Sequence, residues 1–84
     1  MERMVFVKVK IKLNTIDDAV LFCARCGEYK EDIDYLKDSK HVLDAKSLIG
    51  VLSVSPGQEM FSEIHSDDEI TIKRFKKDMK EWRM

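Results

Sequence analysis

Leu43-Asp44-Ala45-Lys46-Ser47-Leu48-Ile49-Gly50-Val51-Leu52-Ser53-Val54-Ser55-Pro56-Gly57 decides how this chain folds. Ser47 stands just ahead of an apolar run. Its hydroxyl can accept a backbone N–H that has no partner in the first helical turn, so it reads as an N-cap. Leu48, Ile49, Val51, Leu52 and Val54 then predict a helix of about two turns, apolar on nearly every side and closed by Ser55-Pro56-Gly57. So short a helix does not stand alone in water. It must lie on a sheet, with Gly50 allowing a close approach and part of the apolar surface left exposed.

The sheet is legible on both sides of this stretch. Val5, Val7, Val9, Ile11 and Leu13 alternate with Lys8, Lys10 and Lys12. A period of two predicts a strand with one wet face. Asp32 to Lys37 alternates around Ile33 and Tyr35, Asp38-Ser39-Lys40 reads as a turn, and His41-Val42-Leu43 returns as a second strand of a hairpin. Met60 to His65 is the last strand. Its pattern leaves two registers open, with Met60 and Ile64 inward or Phe61 inward.

Two further helices complete the order. Asn14 or Thr15 caps the first, with Asp17 and Asp18 at the positive end of its dipole. Ile16, Ala19, Val20, Cys23 and Cys26 follow at helical spacing and are expected to face the sheet, with Gly27 as the stop. Ser66-Asp67-Asp68-Glu69 reads as a capping box. Ile72, Phe75, Met79 and Trp82 then form one apolar stripe on a helix running nearly to the end of the sequence. The order is strand, helix, strand, strand, helix, strand, helix. It predicts an α+β open sandwich, a four-stranded antiparallel sheet with three helices on one face.

Composition bounds the function. The 84 residues make one domain, 1–84, and its 44% hydrophobic and 37% charged residues are those of a soluble protein. A net charge of −1 gives no field drawing it to nucleic acid or membrane. Lysines interrupt any N-terminal signal core, and no apolar run is long enough for a bilayer. Two cysteines without an export signal point to a reducing cytoplasm.

The segment Lys46-Ser47-Leu48-Ile49-Gly50-Val51-Leu52-Ser53-Val54 resembles the regulatory-serine segment of HPr, the histidine-containing phosphocarrier of the bacterial sugar phosphotransferase system, in its Gram-positive branch most of all. The predicted element order is also that of HPr. In that family a histidine at the start of the first helix carries a phosphoryl group, helped by an arginine two residues on and commonly followed by a proline. Aligned on the first strand, those positions fall at Thr15, Asp17 and Asp18. A threonine ester is a poor phosphoryl donor beside a phosphoimidazole. Two carboxylates also repel phosphate, each on the order of 3 kcal/mol per unit charge at ~5 Å and an effective dielectric of ~20.

The resemblance therefore implies a divergent paralogue without phosphohistidine transfer, not an enzyme and without a cofactor. In Gram-positive HPr the serine of this segment is phosphorylated by a dedicated kinase, and the phospho-form binds a regulator of catabolite repression. By resemblance Ser47 is the regulatory residue. Lys46, Leu48, Ile49 and Leu52 are its partner-binding neighbours, and the partners are transport-system enzymes, a serine kinase or a transcriptional regulator. Two alternatives stand beside this reading. One is a working phosphocarrier with an unrecognised acceptor. The other is a thiol-redox or metal-binding domain on Cys23 and Cys26, whose Cys-x-x-Cys spacing suits either chemistry. Zinc would need two further ligands, so no metal is expected, and the pair is placed in the core. His41 and His65 read as surface histidines, and the basic side of the last helix reads as a solvated face.

Overall fold

The computed structural model describes residues 6–84, with Phe6 described by its backbone alone; the expected first-strand residue Val5 lies outside these residues. The chain runs β1 (Phe6–Lys12), α1 (Ile16–Gly27), β2 (Ile33–Asp38), β3 (His41–Asp44), α2 (Leu48–Leu52), β4 (Glu59–His65) and α3 (Glu69–Met79). The strands form one sheet in the order β1-β4-β2-β3, every pair antiparallel. The α+β open sandwich of the sequence reading is thus observed. α1 crosses from the edge strand β1 to β2, so the last strand enters between them.

The inward face of the sheet is built from period-two residues. Val9 and Ile11 on β1, Ile33 and Tyr35 on β2, and Met60 and Ile64 on β4 are buried in one cluster with Leu13. This settles the register of β4: Met60 and Ile64 point inward, with the buried Ser62 between them. Phe22 of α1 fills the centre, with its ring 5.3 Å from Tyr35 and 5.6 Å from Trp82. Phe75 and Met79 press α3 onto the same core.

Several sequence expectations are corrected. On α1, Ala19 and Cys26 face the sheet, but the anchor is Phe22, while Ile16 and Val20 are exposed. Gly27 ends the helix without a left-handed turn, and Glu28 continues in a right-handed conformation as the C-cap. The cap of α3 is Asp68, not Ser66: its carboxylate accepts the Thr71 N–H at 2.9 Å, and Ser66 Oγ accepts the Asp68 N–H instead. α3 also stops at Met79. The chain then turns, and Trp82 carbonyl accepts from Lys12 N–H while Met84 N–H donates to Lys10 carbonyl. The terminal residues so cover the free edge of β1, an edge otherwise open to strand addition. The expected helical run through Val54 ends at Leu52, with Ser53 as its C-cap.

Pro56-Gly57 sets the ends of α2 and β4. Gln58 N–H donates to Ser55 carbonyl at 3.2 Å, and Gly57 takes φ +84, the conformation glycine supplies at the third position of a type II turn. Gly57 N–H then donates to Leu13 carbonyl at 2.7 Å. This bond holds the turn beside the residues that lead into α1.

Candidate functional site

The site is built from two helix starts. Thr15, in extended conformation, caps α1 by accepting the Asp18 N–H at 3.0 Å, and Asp18 Oδ2 accepts the Asn14 N–H at 3.0 Å. Each side chain thus satisfies one backbone N–H at the helix start, and the Asp18 carboxylate reaches Asn14, one residue before the cap, where a capping box would reach the cap residue itself. Asp17 stands exposed on the first turn beside them. The three predicted positions meet at one helix end, with a hydroxyl and two carboxylates where the resemblance would need an imidazole and a guanidinium.

α2 packs against α1. Ser47 caps it by accepting the Gly50 N–H at 3.2 Å, and Val51 N–H bonds the Ser47 carbonyl. The close approach that Gly50 permits is to this cap, since a Cβ there would meet Ser47 Oγ at 3.4 Å. Lys46 departs from expectation. Its ammonium donates to Tyr29 carbonyl at 2.6 Å, so the charge expected beside Ser47 is directed to the end of α1.

Between the helices lies an open groove of about 270 Å³, lined by Leu13, Thr15, Ile16, Leu52, Val54 and Pro56 among others. Of its lining, Ile16 is 65% exposed and Leu52 43%; on the same two helices Ile49 is 85% exposed, and Val20 and Leu48 about two-fifths each (42% and 40%). Ile16 and Val20 are four residues apart and share a helix face, as do Leu48 and Leu52. The groove thus joins the Thr15 end of α1 to the predicted patch on α2. Ile16 and Val20 were assigned to the core from periodicity alone. Phe22 takes that place, both are exposed, and Ile16 lines the groove.

The histidines stand elsewhere. His41 begins β3, exposed, with Nδ1 2.9 Å from Asp38 Oδ1. His65 ends β4, with Nε2 2.7 Å from Asp34 Oδ2. Asp34, Glu63 and His65 come together on the sheet face that the helices leave uncovered, a cluster the sequence reading missed. The signal was the two-residue spacing of Glu63 and His65, but the β2–β4 pairing that adds Asp34 is a long-range contact.

Cys23 and Cys26 lie in the second half of α1. Burial pushes the Cys26 thiol up to about 12, with Cys23 adding to the rise, and burial also raises Cys23. Raised thiols are the reverse of what a reactive thiolate needs.

No protein-family model matches the chain, and no curated protein sequence matches it. Among solved structures it is similar to HPr-C-His from Thermoanaerobacter tengcongensis, with 23% identity over 94% of this chain and 92% of that one and a TM-score of 0.60. The β-α-β-β-α-β-α sandwich of this chain is the HPr-like fold.

Proposed function

We propose that this chain is an HPr-like docking protein that acts by being recognised and does not relay a phosphoryl group, with Ser47 as the residue that regulates it. The observation that carries the reading is the start of α1. Thr15 there accepts the Asp18 N–H and Asp18 the Asn14 N–H, and Asp17 and Asp18 place negative charge where an incoming phosphate would sit. The docking surface is the exposed apolar side chains of the two helices, Leu48, Ile49 and Leu52 with Ile16 and Val20, and the partner is a protein of a phosphotransferase-type system. The exposed Ile49 is the natural anchor, because large apolar side chains that leave water on binding supply most of an interface's energy.

Phosphate on Ser47 would keep the cap, since its oxygens accept the Gly50 N–H and gain from the helix dipole. It would also set a double negative charge beside the exposed apolar residues of α2. That is enough to admit one partner and reject another. Lys46 contributes its stem and not its charge, because its ammonium holds Tyr29 carbonyl.

The test has two arms. Incubation with phosphoenolpyruvate, the first enzyme of the phosphotransferase system and labelled phosphate leaves the chain unlabelled, whereas acid-labile label on it would overturn the reading. A serine kinase of that system with ATP modifies the wild type and leaves Ser47→Ala untouched. An unmodified wild type would leave Ser47 a cap alone.

A further inference from the structure

The uncovered face of the sheet carries a second cluster, independent of the groove. Glu63 and His65 are two residues apart on β4, so both side chains leave the same face. Asp34 on β2 is the direct register partner of Glu63. One ligand atom each of Asp34, Glu63 and His65 lie within 4.8 Å of one another, and all three residues are half-buried. Their backbones belong to neighbouring hydrogen-bonded strands, so the cluster stands on a rigid base.

The register adds a separate observation. Asp34 faces Glu63 on one side and Asp44 of β3 on the other. Three carboxylates thus stand in a row across three strands, and like charges directly opposite one another destabilise a sheet. Lys8 is opposite Glu63, but its ammonium lies 5.0 Å over the Phe61 ring. A cation seated among the carboxylates would turn these repulsions into attraction. Positions that break a local rule in this way are where function is expected.

We propose that Asp34, Glu63 and His65 bind one divalent transition-metal ion, through two carboxylate oxygens and the Nε2 of the imidazole. An imidazole in the set favours zinc, nickel or copper over magnesium and calcium, which take oxygen ligands. Three protein ligands leave the fourth tetrahedral position to water. Bonds of ~2.0–2.2 Å at tetrahedral angles set ligand atoms ~3.4 Å apart. His65 and Asp34, now 2.7 Å apart, would open to that spacing around the ion. The metal takes the Nε2 lone pair, so a proton held on that nitrogen passes to solvent on binding.

The test is zinc titration of the full chain with its thiols reduced, followed by calorimetry and by the histidine ring signals in NMR. Saturable binding of one ion is expected, with the His65 ring signal shifting and that of His41 unmoved. His65→Gln and Glu63→Gln are each expected to weaken binding at least ~10-fold, the loss seen even for groups behind the ligands, with unchanged circular dichroism. Cys23→Ser is expected to bind as the wild type does. Absence of saturable binding, equal affinity in both ligand variants, or loss of binding in Cys23→Ser would overturn the proposal.

Discussion

Ser62 shows how much one atom can reveal. It sits between Met60 and Ile64 on the inward face of β4, fully buried, and its hydroxyl has no hydrogen-bond partner among the described residues. A buried polar group left unmade costs about 1–3 kcal/mol. Ser62→Ala removes one oxygen and leaves almost no cavity, so it is expected to raise stability by about 1 kcal/mol, read from the urea midpoint. A loss of stability would mean that the hydroxyl has a partner. Thr15 and Ser47 make the contrasting case. Their hydroxyls are used by the backbone three residues on. The Ser47 cap was legible in the sequence and the other was narrowed to Asn14 or Thr15, because capping is a local matter of a side-chain oxygen and an unpaired N–H.

Among the elements, α1 and α3 are joined at their C-terminal ends by a network around Asp78. Its carboxylate accepts from Tyr29 hydroxyl at 2.6 Å and from Arg25 at 3.3 Å. Arg74 lies 4.5 Å over the Tyr29 ring and donates to Glu28 at 3.1 Å, and the Tyr29 ring meets Phe75 edge-on. Asp78 is only 16% exposed, so its bonds are better shielded than a surface pair. Asp78→Ala is expected to cost about 1–3 kcal/mol in chemical denaturation, since it strands the Tyr29 hydroxyl. Glu28→Ala, at an exposed pair, is expected to cost under about 1 kcal/mol. Equal losses would place the strength of the junction outside Asp78. The sequence showed Asp78 only as an interruption in a basic face.

For the whole molecule, the packing of α1 on the sheet predicts sensitivity to alkali. Burial pushes Cys26 up to about 12 from 9.0 and Tyr35 up to about 12 from 10.0, and burial followed by the Asp78 bond raises Tyr29 as well. A raised value means that the folded state holds its proton longer than the unfolded chain does. The stability this contributes is complete below about pH 9 and is lost as pH climbs toward 12. The urea midpoint is therefore expected to fall steadily above pH 9, and Cys26→Ala to remove the earliest part of that fall. A midpoint unchanged from neutrality to pH 11 would contradict the burial of these groups.

The sequence by itself determined the order and kind of the seven elements, the cap at Ser47, a cap at Asn14 or Thr15, and the residues at the start of α1 on which the proposed loss of phosphoryl transfer rests. These follow from period, capping and turn chemistry, each settled within a few residues. Only the tertiary structure decided which way β4 faces, that Phe22 and not Ile16 or Val20 anchors α1, that Lys46 spends its charge on Tyr29, and that Asp34 meets Glu63 and His65. Each of these depends on which strand or helix lies next to which. The free energy that decides it comes from burying Phe22, Tyr35, Ile64 and Phe75 together, a contact set scattered along the chain that no short window contains.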